Sequence, residues 1–96
     1  MHEYKKVITD KLDRRALLEQ LAEECAELSQ AALKCIRAEG LSDNATTTSA
    51  RQAKENLVEE VGDVLMVCDA LGLMVDGLTK NNPKWQRWAK RLESDI

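Results

Sequence analysis

Ninety-six residues make one domain, and with no Phe, one Tyr and two Trp its interior must come from Leu, Val, Ala, Met and Cys. That palette favours helices and excludes an aromatic-rich β-sandwich. Fourteen Lys and Arg against seventeen Asp and Glu leave a net charge of −3 at pH 7, which gives no general reason to expect a nucleic-acid polymer or an anionic membrane as partner.

The first ten residues carry no apolar signal segment. The longest apolar stretch, residues 64–75, is too short to span a bilayer and contains Asp69. These features predict a cytoplasmic protein without a membrane partner, one all-α domain over residues 1–96. Cys25, Cys35 and Cys68 are odd in number, lack a CxxC pair and sit in apolar helical patterns, so they read as reduced core residues. His2 is the only histidine, which argues against structural zinc.

The first long helix is expected over residues 10–38. Leu17, Leu18, Leu21, Cys25, Leu28, Ala32, Cys35 and Ile36 recur at helical spacing, Thr9 or Asp10 caps the start, and Gly40 marks the end. Residues 41–48, LSDNATTT, are polar and aperiodic and predict a mobile loop. A second helix is expected from Ser49, where Ser49-Ala50-Arg51-Gln52 has the form of a capping box, to about Val75. Its first half is amphipathic through Leu57, Val61, Val64 and Leu65, whereas Met66, Val67, Leu71, Leu73 and Met74 surround its second half with apolar groups. One chain of two long helices and a short one cannot cover them, so the expected architecture is a helical bundle completed by homo-oligomerisation, a homodimer or homotetramer. The third helix starts at Asn82-Pro83 and runs to about Glu93. Trp85, Trp88 and Leu92 form its apolar stripe and Lys84, Arg87, Lys90 and Arg91 its basic side.

The chemistry-bearing residues are acidic pairs. Glu24 and Glu27 on the first helix, and Glu60 and Asp63 on the second, stand three apart, close enough for each pair to share a cation. On a helical wheel both pairs fall on the flank of an apolar stripe, while Glu23 points to solvent. If the helices pack antiparallel, four carboxylates converge at a half-buried rim that is unfavourable without a cation. Oxygen ligands without His or Cys select Mg²⁺, with Mn²⁺ as substitute, and disfavour a di-iron site, which uses Glu-x-x-His. The competing reading of such pairs is solvated surface. On it, the chain is a non-catalytic helical interaction module or a small phage-type regulator.

Leu18, Leu21, Glu23, Glu24, Glu27 and Leu28, followed by Glu59-Glu60-Val61-Gly62-Asp63-Val64-Leu65, resemble the EExxE…ExxD signature of the MazG-like all-α nucleotide pyrophosphohydrolases. The resemblance covers about Leu17 to Leu92, with a long connection between its two halves. It implies Mg²⁺-dependent hydrolysis of a nucleoside or deoxynucleoside triphosphate to monophosphate and pyrophosphate, with house-cleaning of non-standard nucleotides as the family-level role. Glu24, Glu27, Glu60 and Asp63 would be the metal ligands. Glu23 and Glu59 would be supporting acids, one of which orients the attacking water.

Binding of the phosphates needs cations, and Lys80, Lys84, Arg87 and Arg91 are the candidates, set against a merely solvated helix face. Asn56, one turn before Glu60 on the same flank, is a candidate hydrogen-bonding group for the substrate. Trp85 and Trp88 read as packing residues before base-stacking ones. Gly62 either admits a close approach or is an ordinary helix glycine.

Overall fold

A computed structural model describes residues 2–43 and 46–94. Over these the chain is all-helical, with α1 (His2–Lys11), α2 (Arg14–Ala38), α3 (Ala50–Ala70) and α4 (Lys84–Ser94), and no strand among the described residues. None of the helices is long and apolar enough to cross a membrane.

The expected helix over residues 10–38 starts later, at Arg14, and is preceded by α1, which the sequence reading did not foresee, because the cap is Asp13. Asp13 is extended (φ −79°, ψ 175°) and its carboxylate accepts the Ala16 N–H at 2.8 Å, satisfying a free donor of the first turn of α2. The two residues expected to cap are spent inside α1 instead. The Thr9 hydroxyl donates to the Lys6 carbonyl, and Asp10 accepts from Lys6 Nζ at 2.8 Å. The far end of α2 is as expected: Gly40 takes φ 73°, and the Gly40 and Leu41 N–H groups close onto the Arg37 and Ile36 carbonyls at 3.1 and 2.9 Å.

Residues 41–43 and 46–49 are non-helical, in line with the expected loop; Asn44 and Ala45 lie outside the described residues. Ser49 caps α3 by accepting the Gln52 N–H at 3.1 Å, while the Gln52 amide donates forward to Asn56 Oδ1. The helix ends five residues before the expected Val75. Gly72 takes φ 73°, and the Gly72 and Leu73 N–H groups bond back to the Asp69 and Cys68 carbonyls, both at 2.9 Å, a stop that apolar periodicity does not register. Asn82 caps α4 as expected, its Oδ1 accepting the Lys84 N–H at 2.9 Å.

Helices α2 and α3 pack as an antiparallel hairpin, Lys34 and Ala53 lining one cleft near the loop end and the carboxylates of Glu24 and Asp63 approaching each other farther along. Among the described residues the buried ones are Leu17, Ala31, Cys35, Ala53 and Val67, two of them alanines that let the helices approach closely. The expected stripe is therefore rotated, Ala31 rather than Ala32 facing inward, and Cys25, expected in the core, is exposed. Leu18, Ile36, Val61 and Leu65 remain 40–43 % exposed on the hairpin's second flank. Helix α1 rests on α3, tied by Lys5 Nζ to Asp69 at 3.0 Å. Helix α4 packs against none of the other three, and the radius of gyration, 17.0 Å, exceeds the roughly 12–13 Å of a compact chain this long.

Candidate metal centre

The site follows from helix phase. In an antiparallel hairpin that buries Ala31 and Ala53, residues about 40–120° round from these alanines on one side of each helix share one face. On α2 these include Glu27 and Lys34; on α3 they include Asn56, Glu59 and Asp63. Glu24 and Glu60 stand nearest the contact line.

One carboxylate oxygen each from Glu24, Glu60 and Asp63 lies within 4.8 Å of the others, and all three residues are half-buried. The Gln20 amide donates to Glu24 Oε1 at 2.8 Å and fixes that carboxylate. Its second oxygen, Oε2, is buried with no hydrogen-bond partner, and so is Glu60 Oε2. A buried acceptor without a donor costs about 1–3 kcal/mol, more for a charged group, so two of them in one acidic cluster form a place that a cation relieves. The donor set is all oxygen, which fits Mg²⁺ or Mn²⁺.

Glu27 is exposed at the edge of this cluster. The charge on Glu24, then loss of hydration, then the charge on Glu60 hold its carboxyl above the usual range. The site thus resists placing a further negative charge on itself.

Beside the acids is a cleft of about 180 Å³ with an apolar floor of Ala31 and Ala53, rimmed by Glu27, Gln30 and Lys34 from α2 and by Asn56, Glu59 and Glu60 from α3. Of the two expected supporting acids, Glu59 borders this cleft, whereas Glu23 is exposed and borders neither cleft nor cluster. Asn56 is in the rim, as its flank position required. Lys34 and Gln30 were missed by the sequence reading although the signal was present: they follow Glu27 at i+7 and i+3, on the same flank.

The expected phosphate-binding cations are elsewhere within the chain. Lys80, Lys84, Arg87 and Arg91 are exposed, and Lys84 lies 5.9 Å from the Trp88 ring, a cation–π contact. Lys84, Trp85 and Trp88 border a second hollow of about 140 Å³ together with Thr79 and Asn82. Around Gly62 an added Cβ would meet open space. Comparison with family models, with curated proteins and with solved structures finds no match to this chain.

Proposed function

We propose that this chain is a Mg²⁺-dependent nucleoside triphosphate pyrophosphohydrolase of the MazG-like kind, working in the cytoplasm as a homo-oligomer. The observation that carries the reading is the convergence of Glu24, Glu60 and Asp63 with two buried, unpartnered carboxylate oxygens. An acidic cluster on a merely solvated face would hold those oxygens in water, where they cost nothing.

Glu24, Glu60 and Asp63 would hold the metal, with Glu27 completing the set. Bound there, Mg²⁺ supplies neutralisation of charge on the triphosphate oxygens. The chain's own residues do the rest. Lys34, in the cleft rim, offers an ammonium to the phosphates, and the Asn56 amide can hydrogen-bond sugar, base or phosphate. Glu59 is the better placed of the two supporting acids to orient a water and take its proton. The water oxygen bonds to the α-phosphorus, the bond from that phosphorus to the α–β bridging oxygen breaks, and pyrophosphate leaves. Oligomerisation is supported by the apolar flank of Leu18, Ile36, Val61 and Leu65, which is exposed in the single chain.

The deciding experiment is pyrophosphate release from a panel of standard and modified nucleoside and deoxynucleoside triphosphates, with and without Mg²⁺. Mg²⁺-dependent release from at least one of them, abolished by Glu60→Gln, supports the reading. No release from any, with melting unchanged by Mg²⁺, returns the chain to a helical interaction module.

A further inference from the structure

The i, i+4 pairs Lys6–Asp10, Arg15–Glu19 and Arg51–Glu55 join opposite charges in exposed positions. Gln20 and Glu24 differ on both counts: their bond is part-buried and its donor is a neutral amide. Gln20 stands about 40° from Glu24 round α2, on the flank shared with Glu27, and is half-buried there.

The neutrality of the donor matters. A Lys or Arg at this position would itself supply the positive charge that the acidic cluster lacks, and a Glu would add to the repulsion. An amide does neither: it holds one oxygen of Glu24 and leaves the charge for a cation to neutralise. It also makes the two oxygens unlike, since Oε1 takes the Gln20 N–H at 2.8 Å whereas Oε2 is buried without a partner.

That asymmetry bears on which cation fits. A carboxylate that binds through both oxygens must turn its edge squarely to the ion, and a donor fixed on one oxygen resists the turn. Ca²⁺ accepts such two-oxygen ligands and takes a larger, irregular set, whereas Mg²⁺ demands an octahedron and keeps several waters. One oxygen each from Glu24, Glu60 and Asp63, within 4.8 Å of one another, makes half of an octahedral set and leaves the other half to water or phosphate oxygens.

We propose that Gln20 is a positioning residue that holds Glu24 to one-oxygen coordination and so sets the preference of the site for Mg²⁺ over Ca²⁺. This rests on the metal reading of the acidic cluster, and on no particular substrate or turnover.

The test is titration of the whole metal-free chain with Mg²⁺ and, separately, with Ca²⁺, followed by calorimetry and by melting temperature. Gln20→Met keeps the length of the side chain and removes the donor; Gln20→Ala removes it with the least demand on packing, and both residues suit a helix. In each variant the Kd for Mg²⁺ should rise at least about ten-fold, the usual cost of losing a hydrogen bond behind a metal ligand, while the Kd for Ca²⁺ changes less. The ratio of the two constants therefore moves toward Ca²⁺. Gln52→Met removes the corresponding bond on α3, from the Gln52 amide to Asn56 Oδ1 at 3.1 Å, outside the cluster, and should leave both constants at their wild-type values.

A merely structural hydrogen bond predicts something else: a lower melting temperature in EDTA and an unchanged ratio. Constants that stay fixed, or that rise by the same factor for both ions, in Gln20 variants with wild-type helical circular dichroism would overturn the proposal, as would the same change of ratio in Gln52→Met. Mg²⁺ binding by the wild type without a Gln20 effect ends the positioning role alone. A wild type that binds neither ion ends the metal reading and the positioning role with it.

Discussion

The repulsion stored in the acidic cluster can be released by one substitution. Glu60→Gln removes a charge that lies within 4.8 Å of both Glu24 and Asp63. Each such pair repels by about 0.9 kcal/mol at the dielectric constant of water and about 3.5 kcal/mol at an effective value of 20. The three residues are half-buried, so the lower part of that range applies, and two pairs are lost together. A net gain of about 1–2 kcal/mol remains after allowing for the weaker fit of an amide, or roughly 5–10 °C in melting temperature for a domain of this size.

The assay is thermal melting of wild type and variant at equal protein concentration and low ionic strength, in EDTA and in millimolar Mg²⁺. In EDTA the variant should melt higher. On adding Mg²⁺ the wild type should rise while the variant stays nearly still, because a ligand that binds only the folded state stabilises in proportion to the logarithm of its concentration over Kd. A variant that melts lower than wild type in EDTA, yet gains as much from Mg²⁺, would refute the picture of a strained, cation-binding cluster.

Other outcomes follow from the same geometry. Glu24→Gln and Asp63→Asn should each abolish Mg²⁺-dependent hydrolysis while helical circular dichroism stays at the wild-type level; full activity in both would remove these residues from the metal site. Lys34→Gln should raise KM for the triphosphate, measured by steady-state kinetics, and leave the apo melting temperature nearly unchanged because Lys34 is exposed.

The pH dependence of the metal-free protein carries a definite sign. The Glu27 carboxyl sits above its usual value in the folded chain, so its contribution to stability is complete below the unfolded-state value and is lost as pH rises through the folded-state value. Apo stability measured by urea titration should therefore fall across the mildly acidic range in the wild type, and less so in Glu27→Gln.

The acids and the bundle differ from the rest in how far they could be read from sequence. Glu24, Glu60 and Asp63 meet because their positions relative to Ala31, Ala53 and Val67 fix their phase on two helices, and phase is a local property. The break between α1 and α2 was not legible, because Thr9, Asp10 and Asp13 are all competent caps and the choice depends on which side chain reaches a free N–H. The stop at Gly72 could have been read from the glycine, but apolar side chains continue past it to Val75 and outweighed it. Least legible was the placement of α4. Its amphipathic pattern is plain in Trp85, Trp88 and Leu92, but where it lies is set by turns around Gly77 and Asn81, which no periodicity encodes.

The small interior has a consequence for the life of the chain in a cell. Five buried side chains among the described residues are a thin reserve against opening, and a polypeptide that opens often is a substrate for proteases before it is anything else. If copies protect one another, newly made chains at low abundance are degraded faster than those made in quantity. The working population then grows more steeply than synthesis does, so a modest change in expression would act as a threshold rather than a dial.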